Sequence, residues 1–247
     1  MDSSDQYSAP MADPAATAPV TQRALTRIQA MLRSGAFPPG SSLPPQRRLA
    51  DELRVSRASL REALSILGTL GIIRVEHGRG TFVAARGDDD PGSEPVPAAR
   101  RFKGRYSEAE VYQFRCIVEP RAAALAALRL TLGEIGRLEA TNRAFARATR
   151  ELDLVASAEA DWEFHDLLMQ FSHNRLLVDI YHGYRPVMIE SQRLPLARRS
   201  RLLEPIGEHE HLLRALGMHD PDGASYYMRM HIGRAADRIG LSFVDVG

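Results

Sequence analysis

Residues 43–83, LPPQRRLADELRVSRASLREALSILGTLGIIRVEHGRGTFV, decide the fold of this chain. Leu49, Ala50 and Leu53 fall at helical spacing and set a short helix. Val55-Ser56 breaks it, and Ser56 is a good N-cap for the next element. Leu60, Ala63, Leu64, Leu67 and Leu70 make that next helix, which ends at Gly71. Two short β-like runs, Ile72 to Val75 and Thr81 to Val83, flank the tip Glu76-His77-Gly78-Arg79-Gly80 as in a hairpin. Upstream, Leu25, Ile28, Met31 and Leu32 recur at helical spacing and stop at Gly35, with the loop FPPGSSLPP after them. Three helices and a β-hairpin outline a winged helix-turn-helix over residues 20–85.

Working outward, residues 1–19 are acidic and rich in Ala and Pro, the composition of a disordered tail. The stretch RGDDDPGSEPVPAARRFKGR marks a linker over 86–106. The second domain, 107–245, reads as helical throughout. Ser107-x-x-Glu110 and Thr131-x-x-Glu134 are capping boxes ahead of periodic apolar segments. Further helices are expected over about 155–172, 175–193, 198–217 and 221–240. Asn174 can cap the second of these. The expected class is mainly α: a winged helix-turn-helix joined to an all-α helical bundle.

The 247 residues are 44% hydrophobic and 26% charged, with net charge +1, which excludes collagen, wholesale disorder and a disulfide scaffold. Cys116 is the single cysteine. No apolar run approaches a membrane span, and the N-terminus lacks a secretory signal, so no membrane partner and a cytoplasmic location are expected. The small net charge hides an asymmetry. Thr21 to Arg86 holds 11 Arg against 4 acids, whereas Ser107 to Gly247 holds 17 Arg against 20 acids. A basic first third suits contact with nucleic acid.

Duplex recognition uses guanidinium groups, which anchor phosphates and grip guanine edges. Ser56, Arg57, Ala58, Ser59 and Arg61 stand at the start of the third helix, the end that points into a major groove. Arg47 and Arg48 lie on the second helix, and His77 and Arg79 on the wing, where Gly78 and Gly80 let the backbone approach closely. Taken singly, each arginine could be a solvated helix face; together they favour DNA. The run quoted above, with AMLRSGAFPPGSSLP before it, resembles the N-terminal domain of GntR-family bacterial transcription regulators. The resemblance implies a homodimer on a palindromic double-stranded operator, with contacts at Arg47, Arg57, Ser59 and Arg61 and at His77 and Gly78. Two departures are Pro45, where the family usually has a capping Ser, and Gln46-Arg47-Arg48, where Glu commonly flanks the Arg.

Among eight histidines, three stand out beside one aspartate. Asp161 and His165, four apart, point from one face of one helix. His209 and His231 lie on later helices, and a bundle can aim all four at one point. Three imidazoles and a carboxylate suit zinc, nickel, cobalt or manganese better than calcium or magnesium. Spacing alone leaves open buried core histidines instead. The segments FRCIVEPRAAALAA, DWEFHDLLMQFSHN, the EH at Glu208-His209 and the late MRMH resemble the FCD domain of the FadR subfamily. The resemblance implies a divalent transition metal, zinc first, on Asp161, His165, His209 and His231. It also implies a small carboxylate effector beside the metal. Arg115, on the stripe of Val111, Val118 and Ala122, and Arg185, on that of Tyr181 and Met188, are candidate effector contacts. Arg115 could instead pair with Glu119 one turn on.

The expected function is a DNA-binding regulator, a repressor of a catabolic or transport operon modulated by an organic acid. The alternatives are a metal sensor and, further off, a metal-dependent hydrolase. Against the hydrolase, no HExxH or GxSxG motif is present and no general base shares the inward face of the metal helix.

Overall fold

The computed structural model describes residues 20–76, 78–84, 102 and 105–242. The 1–19 tail, most of the 86–106 linker and His77 lie outside them. Compactness separates two units: residues up to Ile66 with Val75–Val83, and Leu67–Arg74 with the residues from Ala84 on.

The first part holds α1 (Val20–Arg33), α2 (Gln46–Leu53) and α3 (Arg57–Thr69), then β1 (Ile73–Glu76) and β2 (Gly80–Val83), paired in one two-stranded sheet. Ala24, Leu25, Ile28, Leu49, Ala50, Leu53, Leu60, Ala63, Leu64 and Leu67 are buried, most of them apolar positions at helical spacing, whereas Met31 and Leu32 at the end of the α1 stripe are only half-buried. Pro45 occupies the N-cap of α2 and makes no side-chain cap bond. Arg54 closes α2 in the left-handed region, at φ 53°. The Ser56 hydroxyl then accepts from the Ser59 amide at 3.0 Å and starts α3. The segment before α2, expected as plain loop, also pairs with the wing. Leu43 donates to the Thr81 carbonyl at 2.7 Å, and Ser42 bridges Phe82 antiparallel.

The second part is a bundle of α4 (Glu108–Ala127), α5 (Leu132–Arg150), α6 (Leu154–Phe171), α7 (Arg175–Gly183), α8 (Arg185–Arg193), α9 (Glu204–Gly217) and α10 (Pro221–Arg238). Both capping boxes form, at Ser107/Glu110 and Thr131/Glu134. The Asn174 side chain accepts from the Leu177 amide and caps α7. Ser107→Ala is expected to cost about 1 kcal/mol, measured as a shift in the urea midpoint. No shift at all would mean that α4 is held by packing alone.

Two expectations need correction. The span 175–193 is two helices, broken at Tyr184, because Pro186 has no amide to donate and its ring would clash with the carbonyl four residues back in a continuous helix, whereas it fits the first turn of a new one. The span 198–217 becomes α-helical only at Glu204. Before it run two 3₁₀ turns, Leu194–Ala197 and Arg199–Arg201, the first with Pro195 at its start. Helix α4 packs along α10 and α6, and α9 against α10 and α5, around Tyr112, Phe164, Leu168, Leu212, Met228 and Ile232. The inward faces of α4, α6, α9 and α10 thus meet in one core.

Candidate metal centre and nucleic-acid interface

On α3, the buried Leu60–Ala63–Leu64–Leu67 stripe turns Arg57, Ala58 and Arg61 outward. Arg47 on α2 is exposed as well. These three arginines make no ion pair among the described residues, so their guanidinium groups are free to meet phosphate or base edges. Arg48 is instead held by Glu52 at 2.8 Å. Ser56 and Ser59 are hydrogen-bonded to each other at 2.9 Å, so they shape the helix start. On the wing, Gly78 and Gly80 sit at φ +74° and +127°, conformations that a side chain would strain. Arg79 is exposed, pairs with Glu76 at 2.5 Å and lies 5.8 Å from the Phe82 ring centre.

In the bundle, Asp161 and His165 on α6, His209 on α9 and His231 on α10 are all buried, and their ligand atoms lie within 4.8 Å of one another. Each imidazole is anchored by Nδ1. His165 Nδ1 meets Glu119 Oε2 at 2.7 Å, His231 Nδ1 meets Glu208 Oε2 at 2.8 Å, and His209 Nδ1 meets Asn142 Oδ1 at 3.2 Å. Carboxylate and amide oxygens accept, so Nδ1 is the donor in each ring and Nε2 is the nitrogen left for a further partner. The Nε2 atoms of His165 and His209 are buried with no hydrogen-bond partner. His209 Nε2 faces Asp161 Oδ1 at 3.7 Å. The His209 ring also stacks on Phe164, centroids 4.2 Å apart.

Electrostatics favour lone pairs over imidazolium. Burial, with the like charges that His231, His165 and Arg238 would present, pushes His209 well below its ordinary pKa. Burial lowers His231 too, opposed by its bond to Glu208. Burial alone would raise Glu119, yet Arg115 and His165 overcome it and hold the carboxylate ionised. Glu208 is kept low against burial by His231 and Arg238. Imidazole nitrogens left without a partner beside a buried carboxylate are what a borderline divalent cation requires. Carboxylate and amide partners behind ligating imidazoles fix ring and tautomer in metal sites generally. The donor set therefore fits a metal.

A narrow cavity borders the cluster, lined by Arg115, Asp161, Gln192, His231 and Arg238 together with apolar Pro195 and Leu196. Arg115 does line it, but its fork is turned to Glu119: Nε reaches Oε1 at 2.7 Å and Nη2 reaches Oε2 at 3.4 Å. Arg185 does not line it. That residue is exposed, its guanidinium 5.2 Å from the Trp162 ring centre, because the break at Tyr184 turns α8 away from the register of one continuous helix. The second inward cation is Arg238, 3% exposed, which the sequence reading missed. It follows His231 by seven residues on one face of α10, the same stripe signal that drew attention to Arg115. Glu119, Asn142, Glu208 and Gln192 were missed as well.

Residues 20–83 match the bacterial regulatory proteins of the gntR family, and residues 110–234 match the FCD domain. The chain therefore belongs to the GntR family and, within it, carries an FCD domain. The Uxu operon transcriptional regulator of Escherichia coli (strain K12) is 28% identical over 242 residues, covering 91% of this chain and 90% of that protein. The HTH-type transcriptional regulator LutR of Bacillus subtilis (strain 168) is 26% identical over 212 residues, 84% and 95% of the two chains. The solved structure of E. coli McbR/YncC superposes with TM-score 0.50 at 19% identity, covering 91% of this chain and 98% of that one, a likeness of fold. The protein is a DNA-binding transcriptional regulator and not an enzyme. No helix among the described residues is long and apolar enough to cross a membrane.

Proposed function

We propose that this regulator controls a catabolic or transport operon as a repressor, and that a small organic acid bound in its bundle weakens its grip on the operator. The observation that carries this reading is the set of buried, unpartnered Nε2 atoms facing Asp161 beside a cavity with arginines in its wall. Asp161, His165, His209 and His231 hold the cation, zinc before nickel, cobalt or manganese, given three nitrogen donors and one oxygen. A metal held by these four residues would supply Lewis acidity and positive charge beside the cavity. Glu119 is offset by Arg115 and Glu208 by Arg238, so a divalent ion opposite the single Asp161 charge leaves the site positive. That balance favours an anion; Arg238, whose Nη1 is buried without a partner, orients it, and Arg115 adds its charge to the wall from its bond with Glu119.

A homodimer presents two third helices and two wings to the half-sites of a palindrome. Arg47, Arg57 and Arg61 make the contacts, Ser56 and Ser59 set the helix start, and His77, Gly78 and Arg79 serve the wing. For the acid to release DNA, it must bind the DNA-free state better, by a coupling of roughly 1–3 kcal/mol. The near-matching Uxu and LutR proteins are regulators too, which supports the operon-level role.

The test is selection of genomic fragments by zinc-loaded protein, followed by gel-shift titration of the recovered site with candidate acids. A palindrome released by an acid supports the reading, whereas acids that only tighten binding reverse its direction. If buffered zinc alone switches binding and acids do nothing, the chain is a metal sensor. Arg57→Ala is expected to lose about 1–3 kcal/mol of operator selectivity, read as the ratio of specific to bulk-DNA affinity. An unchanged ratio would confine Arg57 to phosphate contact.

A further inference from the structure

The end of the DNA-reading helix belongs to a different compact unit from its start. Helix α3 runs from Arg57 to Thr69, but the stretch Leu67–Arg74 packs with the bundle. Thr69, 4% exposed, donates from Oγ1 to Glu190 Oε1 at 2.7 Å. A hydroxyl given to a carboxylate makes a strong, charge-assisted bond, so the end of α3 is fixed to α8. Gly71, two residues on, comes so close to the first 3₁₀ turn that a Cβ built on it would meet the Ala197 Cβ at 3.4 Å. Arg199 Nη2 reaches the Gly71 carbonyl at 3.5 Å. Glu190, Ala197 and Arg199, within ten residues of chain, therefore hold the tail of α3.

The other side of the same ten residues faces the histidine cluster. Gln192, Pro195 and Leu196 stand in one cavity wall with Asp161 and His231. The Ser191 carbonyl accepts from the Tyr112 hydroxyl at 2.8 Å, and Ser191 Oγ accepts from Arg115 Nη1 at 3.4 Å. Gln192 Nε2 donates to the Tyr181 hydroxyl oxygen at 3.3 Å, and Tyr181 stands 3.5 Å from Glu119 Oε1. Arg115 and Tyr181 thus both lead to Glu119, the carboxylate that receives His165 Nδ1. Arg198 Nε holds the Arg238 carbonyl at 3.0 Å, on the helix of His231. We propose that residues 190–199 are a relay that couples occupancy of the metal centre to the set of the DNA-reading helix, with the Thr69–Glu190 bond as its joint. Neither Thr69 nor Glu190 is among the metal ligands or the exposed DNA-facing residues of α3; both are positioning residues. The relay is a nine-residue helix followed by two 3₁₀ turns, which have poorer hydrogen-bond geometry than α-helix and so resist a change of arrangement less. A metal that favours one arrangement of this wall shifts the tail of α3 with it.

This inference rests on the metal reading above, and its test keeps the two apart. Zinc-loaded and chelator-stripped full chain are compared for affinity to the operator recovered by fragment selection, with zinc content measured alongside. The two forms should differ by about fivefold or more, and operator DNA should change zinc affinity by the same factor. Thr69→Val keeps the shape and loses the hydroxyl. It should hold full zinc yet bring the ratio close to one, and Thr69→Ser should restore it. Glu190→Ala breaks the same joint from the bundle side and serves if Thr69→Val fails to fold. Weaker operator binding by the same factor with and without zinc would make the bond structural only and overturn the relay. A ratio unchanged by either variant overturns it too, as does a ratio of one in unsubstituted protein that holds zinc; the metal reading then stands. A chain that holds no zinc removes both. Amide exchange gives a readout without DNA. Zinc should slow exchange at Gly71 and Ile72, whose amides donate to the Gly68 and Leu67 carbonyls, and should not do so in Thr69→Val, while α10 is protected equally in both proteins. The same slowing in the variant overturns the relay.

Discussion

His209→Ala should strip the metal from the bundle and abolish any acid response, while operator binding survives. His209 is fully buried at the centre of the cluster, with Nδ1 on Asn142 and Nε2 facing Asp161. Losing an outer partner of a metal ligand typically costs about 10–100-fold in affinity, and losing a ligand itself should exceed that. Metal content after dialysis against a zinc buffer reads the first effect, and a gel shift reads the second. Full metal content in the variant would show that the ligand set is wrong. Truncation also removes the ring stacked on Phe164, so some stability is lost from the cavity alone. The pH dependence follows the same burial. His209 and His231 have folded pKa values below the ordinary 6.5, so they bind protons more readily unfolded. Their contribution to stability is present above pH 6.5 and is lost as pH falls from there toward the folded values. The metal-free protein should therefore lose stability below pH 6.5, and zinc should oppose that loss. A melting temperature that rises on acidification would contradict it.

What the sequence discloses about this molecule divides by distance along the chain. The helix-turn-helix is legible because its signals are local: Leu60, Ala63, Leu64 and Leu67 repeat within one helix, and Ser56 caps where it stands. The Asp161/His165 pair is legible for the same reason, since four residues of helix put both on one face. Their meeting with His209 and His231 depends on how α6, α9 and α10 pack, which spacing does not specify. The anchors were out of reach for a further reason. Glu119, Asn142 and Glu208 are polar residues on helices whose solvent faces are also polar. Only packing tells which ones turn inward. Arg238 and the break at Tyr184 are different, because their signals were present. A cation seven residues after a ligand histidine shares its face, and Pro186 cannot continue a helix begun before it.

Glu119→Ala should be the most damaging single truncation in the bundle, at about 3–5 kcal/mol, since it leaves a buried cation without its partner. Among the described residues Arg115, 1% exposed, has besides Glu119 only Ser191 Oγ, at 3.4 Å, and the face of the Tyr112 ring, 5.5 Å from its guanidinium carbon. The same carboxylate receives His165 Nδ1 and stands within reach of the Tyr181 hydroxyl. One side chain therefore neutralises the arginine, sets the tautomer of a metal ligand and orients the tyrosine that holds Gln192. Glu119→Gln separates these roles. The amide oxygen can still accept one of these bonds, but the charge is gone, so Arg115 is again unbalanced. Gln should fall between wild type and Ala in urea denaturation of metal-free protein, where ligand binding cannot mask the loss. In the zinc-bound state both variants should also release metal more easily, because His165 loses the acceptor that fixes its ring. A cost under about 1 kcal/mol for Glu119→Ala would mean that Arg115 reaches solvent or another anion, and that the Glu119 pair is not what keeps this core closed.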